Sequence, residues 1–596
     1  MSLPTWRANV AYEEGEEWVV SKMKTGYPRF FIHLIIQELQ REILKLYGTE
    51  GEKVMLFPTR TTAQRCQAFF HDKCRTLSKS SVRLLHLEPN LSHTQTAGSI
   101  LSKLSCVFFP SSEFSTAKQV WQHSGDGIQS RRAEFCLKAL REGWLVPAST
   151  TKSTTTTDLF SKGGPRRYQR GASLANVPVQ ANGSVNGHTN GGDVTADLGD
   201  YSTFIEERFG RNLNAQLSNK AKMAIRRRIA GSLTDDAELD ASTEATQRLN
   251  TATVDNSDPS VQRLRNVSED DVYLYPCGMN AIFNAHLVAM SCGESRGRGS
   301  CKSVCFGFPY IDTLKVLEKW GPGAVFYGNG DEADLTDLER RLASGEWFAA
   351  VFTEFPSNPL LRSPDLKGLR RLADLYGFLL VVDETVGNYI NVDVLHEADI
   401  VVSSLTKIFS GDSNVMGGSL VLNSKSTQYK ALKEILGQQY EDNVWAEDAI
   451  YMERNSRDFV SRIDRINVNA EAMTEDLRQS PLVKNVYYPK LNPSKHLYDM
   501  FKTHSGGYGG LFSVTFHEPR HAQIFFDKLA VQKGPSLGTN FTLACPFVLL
   551  AHYTELDWVR QYGVDPNLVR VSVGLEDSQD LVTIVRRALQ AIEEES

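Results

Sequence analysis

The order of apolar and polar positions divides the chain before any chemistry enters. From Phe30 to Leu46 (FFIHLIIQELQREILKL) apolar residues recur at helical spacing and stop near Gly48, which predicts an amphipathic helix. The runs at 54–58, 82–87 and 106–110 read as short buried strands, with a helix (TTAQRCQAFFHDKC) between the first two. Residues 1–147 are therefore expected to be an α/β extension, structural or interacting, with no catalytic constellation. Residues 148–200 are rich in Ser, Thr, Gly and Asn and nearly free of aromatics. Such a composition cannot bury enough surface to offset the entropy of ordering, so it reads as a disordered linker. Residues 201–231 read as a short extended arm and a basic helix ending near Gly231, with Arg226, Arg227 and Arg228 on a solvated face. Residues 232–270 form a polar insertion.

From residue 271 the pattern becomes a strand–helix alternation that runs to residue 423. VYLYP, SVCFGF, AVFYG, AAVFTEF, FLLVVDE and IVVSS are the apolar runs, with helical segments such as LKGLRRLADLYG between them. Repeated β–α units imply a mostly parallel sheet covered by helices on both faces, with ligands beyond the carboxyl ends of the strands. Residues 424–596 change rhythm. A long helical stretch from Ala446 to Gln479, the strands KNVYYP, GGLFSVTFH and VRVSVGLE, and a closing helix predict an α+β domain.

Composition narrows the classes. A chain of 596 residues exceeds one core, and the net charge of −6 gives no electrostatic case for nucleic acid. No apolar run reaches the length of a membrane span, and the Glu-rich start (MSLPTWRANVAYEEGEEWV) resembles no signal or transit peptide. Nine cysteines without paired spacing suit reduced thiols in a cytoplasmic protein. Cys301 and Cys305 are the closest pair, but no second pair or histidine completes a metal site around them, so both read as structural thiols.

The candidate chemistry centres on Ser404, Thr406 and Lys407 at the end of IVVSSLTK. Hydroxyls beside a partly buried lysine suit a Schiff base with pyridoxal 5′-phosphate (PLP), the hydroxyls holding phosphate; an ordinary loop lysine is the alternative. Asp383, ending FLLVVDE, is either a structural carboxylate or the partner of a pyridinium nitrogen. Cys277, Gly278 and Met279 open a helix after a strand, where an anion is stabilised, or form a plain turn. Tyr310 can stack on an aromatic ring or be a core residue, and Asn358 is by default a turn residue. Arg570 can clamp a carboxylate or make a surface ion pair.

Taken in order along alternating β/α units, these residues resemble the cystathionine γ-synthase branch of the Cys/Met-metabolism PLP enzymes. The likeness is to the fungal form with a long N-terminal extension, carried also by LPTWRANVAYEEGEEWV and QVWQHSGDG. The resemblance implies a fold-type I PLP transferase with a seven-stranded sheet. It implies that Lys407 carries PLP, that Cys277–Met279, Ser404 and Thr406 hold its phosphate, that Tyr310 stacks on the ring and acts as acid or base, and that Asp383 meets the ring nitrogen. Asn358 would contact cofactor and substrate, and Arg570 and Ser536 the substrate carboxylate. Arg211, in Phe209-Gly210-Arg211, would reach the phosphate of a neighbouring subunit, implying a homodimer, usually paired into a homotetramer. Phe209 stands where the family usually has tyrosine, and Pro535 where many relatives carry glutamate. The implied activity is γ-replacement on an O-acyl-homoserine by cysteine in methionine biosynthesis. The rivals are another nucleophile or γ-elimination on the same scaffold, and a non-catalytic interaction protein.

Overall fold

The computed structural model describes residues 2–23, 30–75, 77–90, 102–148, 215–231 and 267–595. Met1–Val146 and Leu213–Ser596 form one compact unit; the second, Pro147–Asn212, lies outside the described residues apart from its first two. The predicted linker, the extended arm with Arg211, and nearly all of the polar insertion also lie outside the described residues.

The N-terminal region carries a four-stranded sheet of order β1-β3-β2-β4, formed by Glu52–Phe57, Arg83–Pro89, Leu104–Pro110 and Leu145–Pro147. β1 and β2 both run antiparallel to β3, so they point the same way on either side of it. The helix between them, Arg60–Lys73, starts at a capping box in which Thr59 and Thr62 satisfy each other's backbone N–H groups. The predicted amphipathic helix is Leu34–Tyr47 and buries Ile36, Leu39 and Ile43.

The central sheet has seven strands in the order β5-β11-β10-β9-β8-β6-β7. They are Val272–Tyr275 (β5), Ser303–Phe306 (β6), Ala324–Tyr327 (β7), Ala350–Glu354 (β8), Leu379–Asp383 (β9), Ile400–Ser403 (β10) and Gly418–Leu422 (β11). Only β11 runs against the rest. Both faces are covered, which is why these strands are continuous apolar runs rather than alternating ones. In β9, Leu379 and Val381 pack with helix Gly278–Ser295, while Leu380 and Val382 pack with helix Leu366–Tyr376. The C-terminal sheet, order β12-β13-β16-β15-β14, is built from Val483–Tyr487, Leu511–Phe516, Gln532–Lys533, Leu543–Cys545 and Val569–Ser572 (β12 to β16).

Two expectations change. The long helical stretch is two helices, Ala446–Asn455 and Phe459–Arg478. The arginine cluster is not a solvated face. Helix Ala215–Ile229 lies against Ala446–Asn455, and Arg228 is only 2% exposed, bonded to Glu453 and Ser456. Arg227 pairs with Glu269, and Arg226 reaches the Tyr440 hydroxyl. Cationic spacing on a helix does not reveal that a buried carboxylate awaits it.

Candidate active site

The carboxyl ends of β5, β6, β8, β9 and β10 converge on one cavity. After β5, helix Gly278–Ser295 begins at Cys277, which makes no side-chain cap. Helix Leu366–Tyr376, by contrast, is capped by Asp365. An uncapped helix start facing a cavity is suited to an anion. Gly278 lies against the loop after β10, and a methyl group there would stand 2.6 Å from Ser404 Cβ and 2.8 Å from its Oγ. The Ser404 hydroxyl is buried with no protein partner.

Lys407 follows on the same loop, and its Nζ donates to Ser536 Oγ at 3.2 Å. Burial, reinforced by the nearby Arg570 guanidinium, brings its pKa down to about 7. Arg570 lies on β16 and is 3% exposed. It donates to Asn358 Oδ1 (3.1 Å) and to the carbonyls of Pro535 (2.6 Å) and Ser536 (3.0 Å), and its guanidinium sits 4.4 Å from the Phe547 ring centre. This excludes the surface ion-pair alternative: it is a buried cation held by neutral groups, with a charge left for an incoming carboxylate.

Asp383 ends β9. Its Oδ1 accepts from the backbone N–H (2.9 Å) and hydroxyl (2.6 Å) of Thr385, whose oxygen in turn accepts from Ser404 N–H at 2.8 Å. One threonine thus couples the carboxylate to the hydroxyl-bearing loop. Burial raises the Asp383 pKa, as it does that of Glu354 beside it, which is pushed up to about 8 by burial and then by the Asp383 charge. Glu354 ends β8 and accepts the backbone N–H groups of Tyr310 (2.6 Å) and Asn358 (3.2 Å). Asn358 is therefore a buried organising residue and not a plain turn residue.

The family described as "Cys/Met metabolism PLP-dependent enzyme" matches residues 233–590, and "Fungal trans-sulfuration enzyme, N-terminal domain" matches 35–129. The chain belongs to the Cys/Met metabolism PLP-dependent enzyme family. It is 49% identical, over its whole length and 96% of the relative, to a cystathionine gamma-synthase of Neurospora crassa. It is 39% identical to a cystathionine gamma-synthase of Saccharomyces cerevisiae over 99% of this chain and 96% of that one. A cystathionine gamma-synthase-like enzyme of Amanita muscaria is 40% identical over 100% and 94%. The protein is a PLP-dependent enzyme, which removes the interaction-protein alternative.

As a member of this PLP-dependent family, the chain has residues that fit the cofactor. The orphaned Ser404 hydroxyl and the close-packed Gly278 turn suit a phosphate, the Lys407 amine an aldehyde, and the Asp383 carboxylate a ring N–H. Gly278, Met279, Tyr310, Asn358, Asp383, Ser404, Lys407, Ser536 and Arg570 all line the cavity. Two of the expected residues stand back from it. The Thr406 hydroxyl is spent on the backbone of Gly417, accepting its N–H and donating to its carbonyl. The Cys277 thiol turns toward the Gly125 carbonyl. Arg211 lies outside the described residues. Sequence reading missed Glu354, Thr385 and Phe30. Glu354 carried a signal, an acidic residue ending an apolar strand like Asp383. Phe30, from the N-terminal segment, joins Phe547, Leu550 and Ala551 in lining the cavity, and nothing local marks it for that place. Among the described residues, no group of three or more His, Cys, Asp or Glu could hold a metal ion, and no helix is long and apolar enough to cross a membrane.

Proposed function

We propose that this enzyme catalyses γ-replacement on an O-acyl-homoserine with cysteine as the attacking thiol, yielding cystathionine, in the cytoplasm. The observation that carries this reading is the meeting of a low-pKa Lys407 amine, the Arg570 cation and the Asp383 carboxylate around one cavity. PLP, when bound, supplies an electron-withdrawing ring that stabilises negative charge at the substrate α-carbon. The rest falls to the chain. Arg570, with Asn358 beside it, binds the α-carboxylate. Asp383 would keep a proton on the ring nitrogen. The Lys407 amine, substantially neutral near pH 7, takes the α-proton and delivers protons to neighbouring carbons. Tyr310, which lines the cavity, would stack on the ring and serve as acid or base near the leaving group, and Phe30, Phe547 and Leu550 would keep water from it. Ser404, Gly278 and Met279 would hold the phosphate. The family resemblance implies that Arg211 of a neighbouring subunit would reach it too, which would make the functional unit at least a dimer.

The names of the Neurospora and Saccharomyces relatives support this reading. A second reading, another nucleophile attacking the same substrate, is favoured by the Amanita relative, which is about as similar as the Saccharomyces one and is named only cystathionine gamma-synthase-like. Product analysis separates them. Purified enzyme with O-acetyl- or O-succinyl-homoserine is expected to form cystathionine when cysteine is supplied. Turnover with sulfide or a carbon nucleophile, but none with cysteine, would favour the second reading. Lys407→Ala is expected to abolish both turnover and the visible absorbance of covalently held cofactor; a variant keeping both refutes the assignment of that lysine.

A further inference from the structure

The turn Pro276–Asn280 has two sides. One faces the cavity through Gly278 and Ser404. The other is gripped by the N-terminal region, through the loop that follows helix Phe114–Ser124. Asn280, in the first turn of its helix and 3% exposed, donates from Nδ2 to Ser124 O and to Asp126 Oδ1, both at 2.8 Å. Asp126 is equally buried and ion-paired with Arg65 at 2.9 Å. Gln129 donates from its side chain to the Pro276 carbonyl. Gly125, at φ +63°, approaches so closely that a methyl group on it would lie 2.6 Å from Cys277 Sγ and 2.9 Å from Asn280 N. Behind this contact Phe69 stacks on Trp320 at 4.3 Å, and Trp320 meets Phe283 of the same helix at 4.8 Å. The helix start is thus clamped between Ser404 within and the 124–129 loop without.

We propose that the N-terminal region acts on the cofactor site, with Asp126 as a positioning residue that, through Asn280, fixes the backbone turn receiving the cofactor phosphate. The chemistry supports a specific role. Asn280 stands at the positive end of an eighteen-residue helix. A buried carboxylate accepting from it, itself held by a cation, orients that end without competing for the cavity side. The proposal rests on the reading that Gly278 and Ser404 hold the phosphate, and it gives residues 1–147 a task in cofactor retention.

The test uses full-length apoprotein titrated with PLP, with melting of each apo variant as a separate readout. Asp126→Ala is expected to raise the PLP dissociation constant about tenfold, the order seen when an outer-shell partner of a ligand site is removed. Asp126→Asn, which can still accept from Asn280, is expected to fall between this and wild type. Gln129→Ala, at the rim of the same loop, should weaken binding in the same direction and covers the case in which Asp126→Ala does not fold. The ³¹P resonance of the bound phosphate should shift in each. Glu441→Ala is the control: it removes another contact of the same interface, Thr59 Oγ1 to Glu441 at 2.8 Å, and should leave PLP affinity unchanged. Wild-type PLP affinity in Asp126→Ala and Gln129→Ala, or equal weakening in the control, overturns the proposal. Ser404→Ala distinguishes the two layers. If it too binds PLP normally, the phosphate reading has failed; if it alone weakens binding, only the clamp has.

Discussion

Lys407 takes its reactivity from its surroundings. A lysine in water is almost wholly protonated at neutral pH, whereas this one, buried near a second cation, titrates near 7. Glu354 shows the same physics with the opposite sign. Its pKa, raised to about 8 beside Asp383, makes the folded apoprotein bind a proton more tightly than the unfolded chain does. That contribution is full below the unfolded carboxyl value and is lost as pH rises through about 8. The Glu354 contribution to the unfolding free energy of the apoprotein is therefore expected to fall between about pH 5 and pH 9, while the lowered pKa of Lys407 contributes the opposite slope above about pH 7; Glu354→Gln removes the Glu354 part and so shifts the measured slope upward. The glutamine leaves one of the two N–H groups, Tyr310 or Asn358, without its acceptor, so the variant should be less stable by about 1–3 kcal/mol at the acid end. Parallel denaturant titrations check this, and an unchanged slope would refute it.

The turn between β5 and its helix is where a small sequence feature has the largest consequence. Gly278 is required because Ser404 occupies the space a side chain would fill. Gly278→Ala must push the two loops apart, and its PLP dissociation constant is expected to rise about tenfold, ~1.4 kcal/mol, in equilibrium titration. Unaltered affinity would mean the loops need not meet. The turn was legible in the chain as a strand, a glycine and a helix. The reason for the glycine was not, because Ser404 is far away in sequence. Thr406 is the converse: its place in S-L-T-K suggested phosphate, and folding spent its hydroxyl on Gly417.

The assembly adds a last requirement. If Arg211 serves the site of a neighbouring subunit, Arg211→Ala and Lys407→Ala chains, each inactive or weak alone, are expected to regain activity when mixed under conditions that exchange subunits. The Arg211→Ala chain then keeps its lysine and borrows an arginine. Activity of the mixture no higher than the sum of its parts would place Arg211 within its own chain's site. Within the chain, the seven-stranded sheet explains why residues spread from Gly278 to Lys407 meet: each follows a strand whose carboxyl end opens on one edge. Arg570 comes instead from β16 of the C-terminal sheet and Ser536 from the loop after β14, and both line the cavity.

The sequence by itself determined the alternation of strands and helices, the parallel sheet and the cluster of residues after its strands. Those follow from periodicity and from the fixed direction of β–α units, which are local properties of the chain. Tertiary structure alone decided which polar groups are buried together. Arg228 and Glu453, Glu354 and Asp383, and Asp126 and Asn280 are pairs whose meaning depends on desolvation, and desolvation exists only once distant segments have packed.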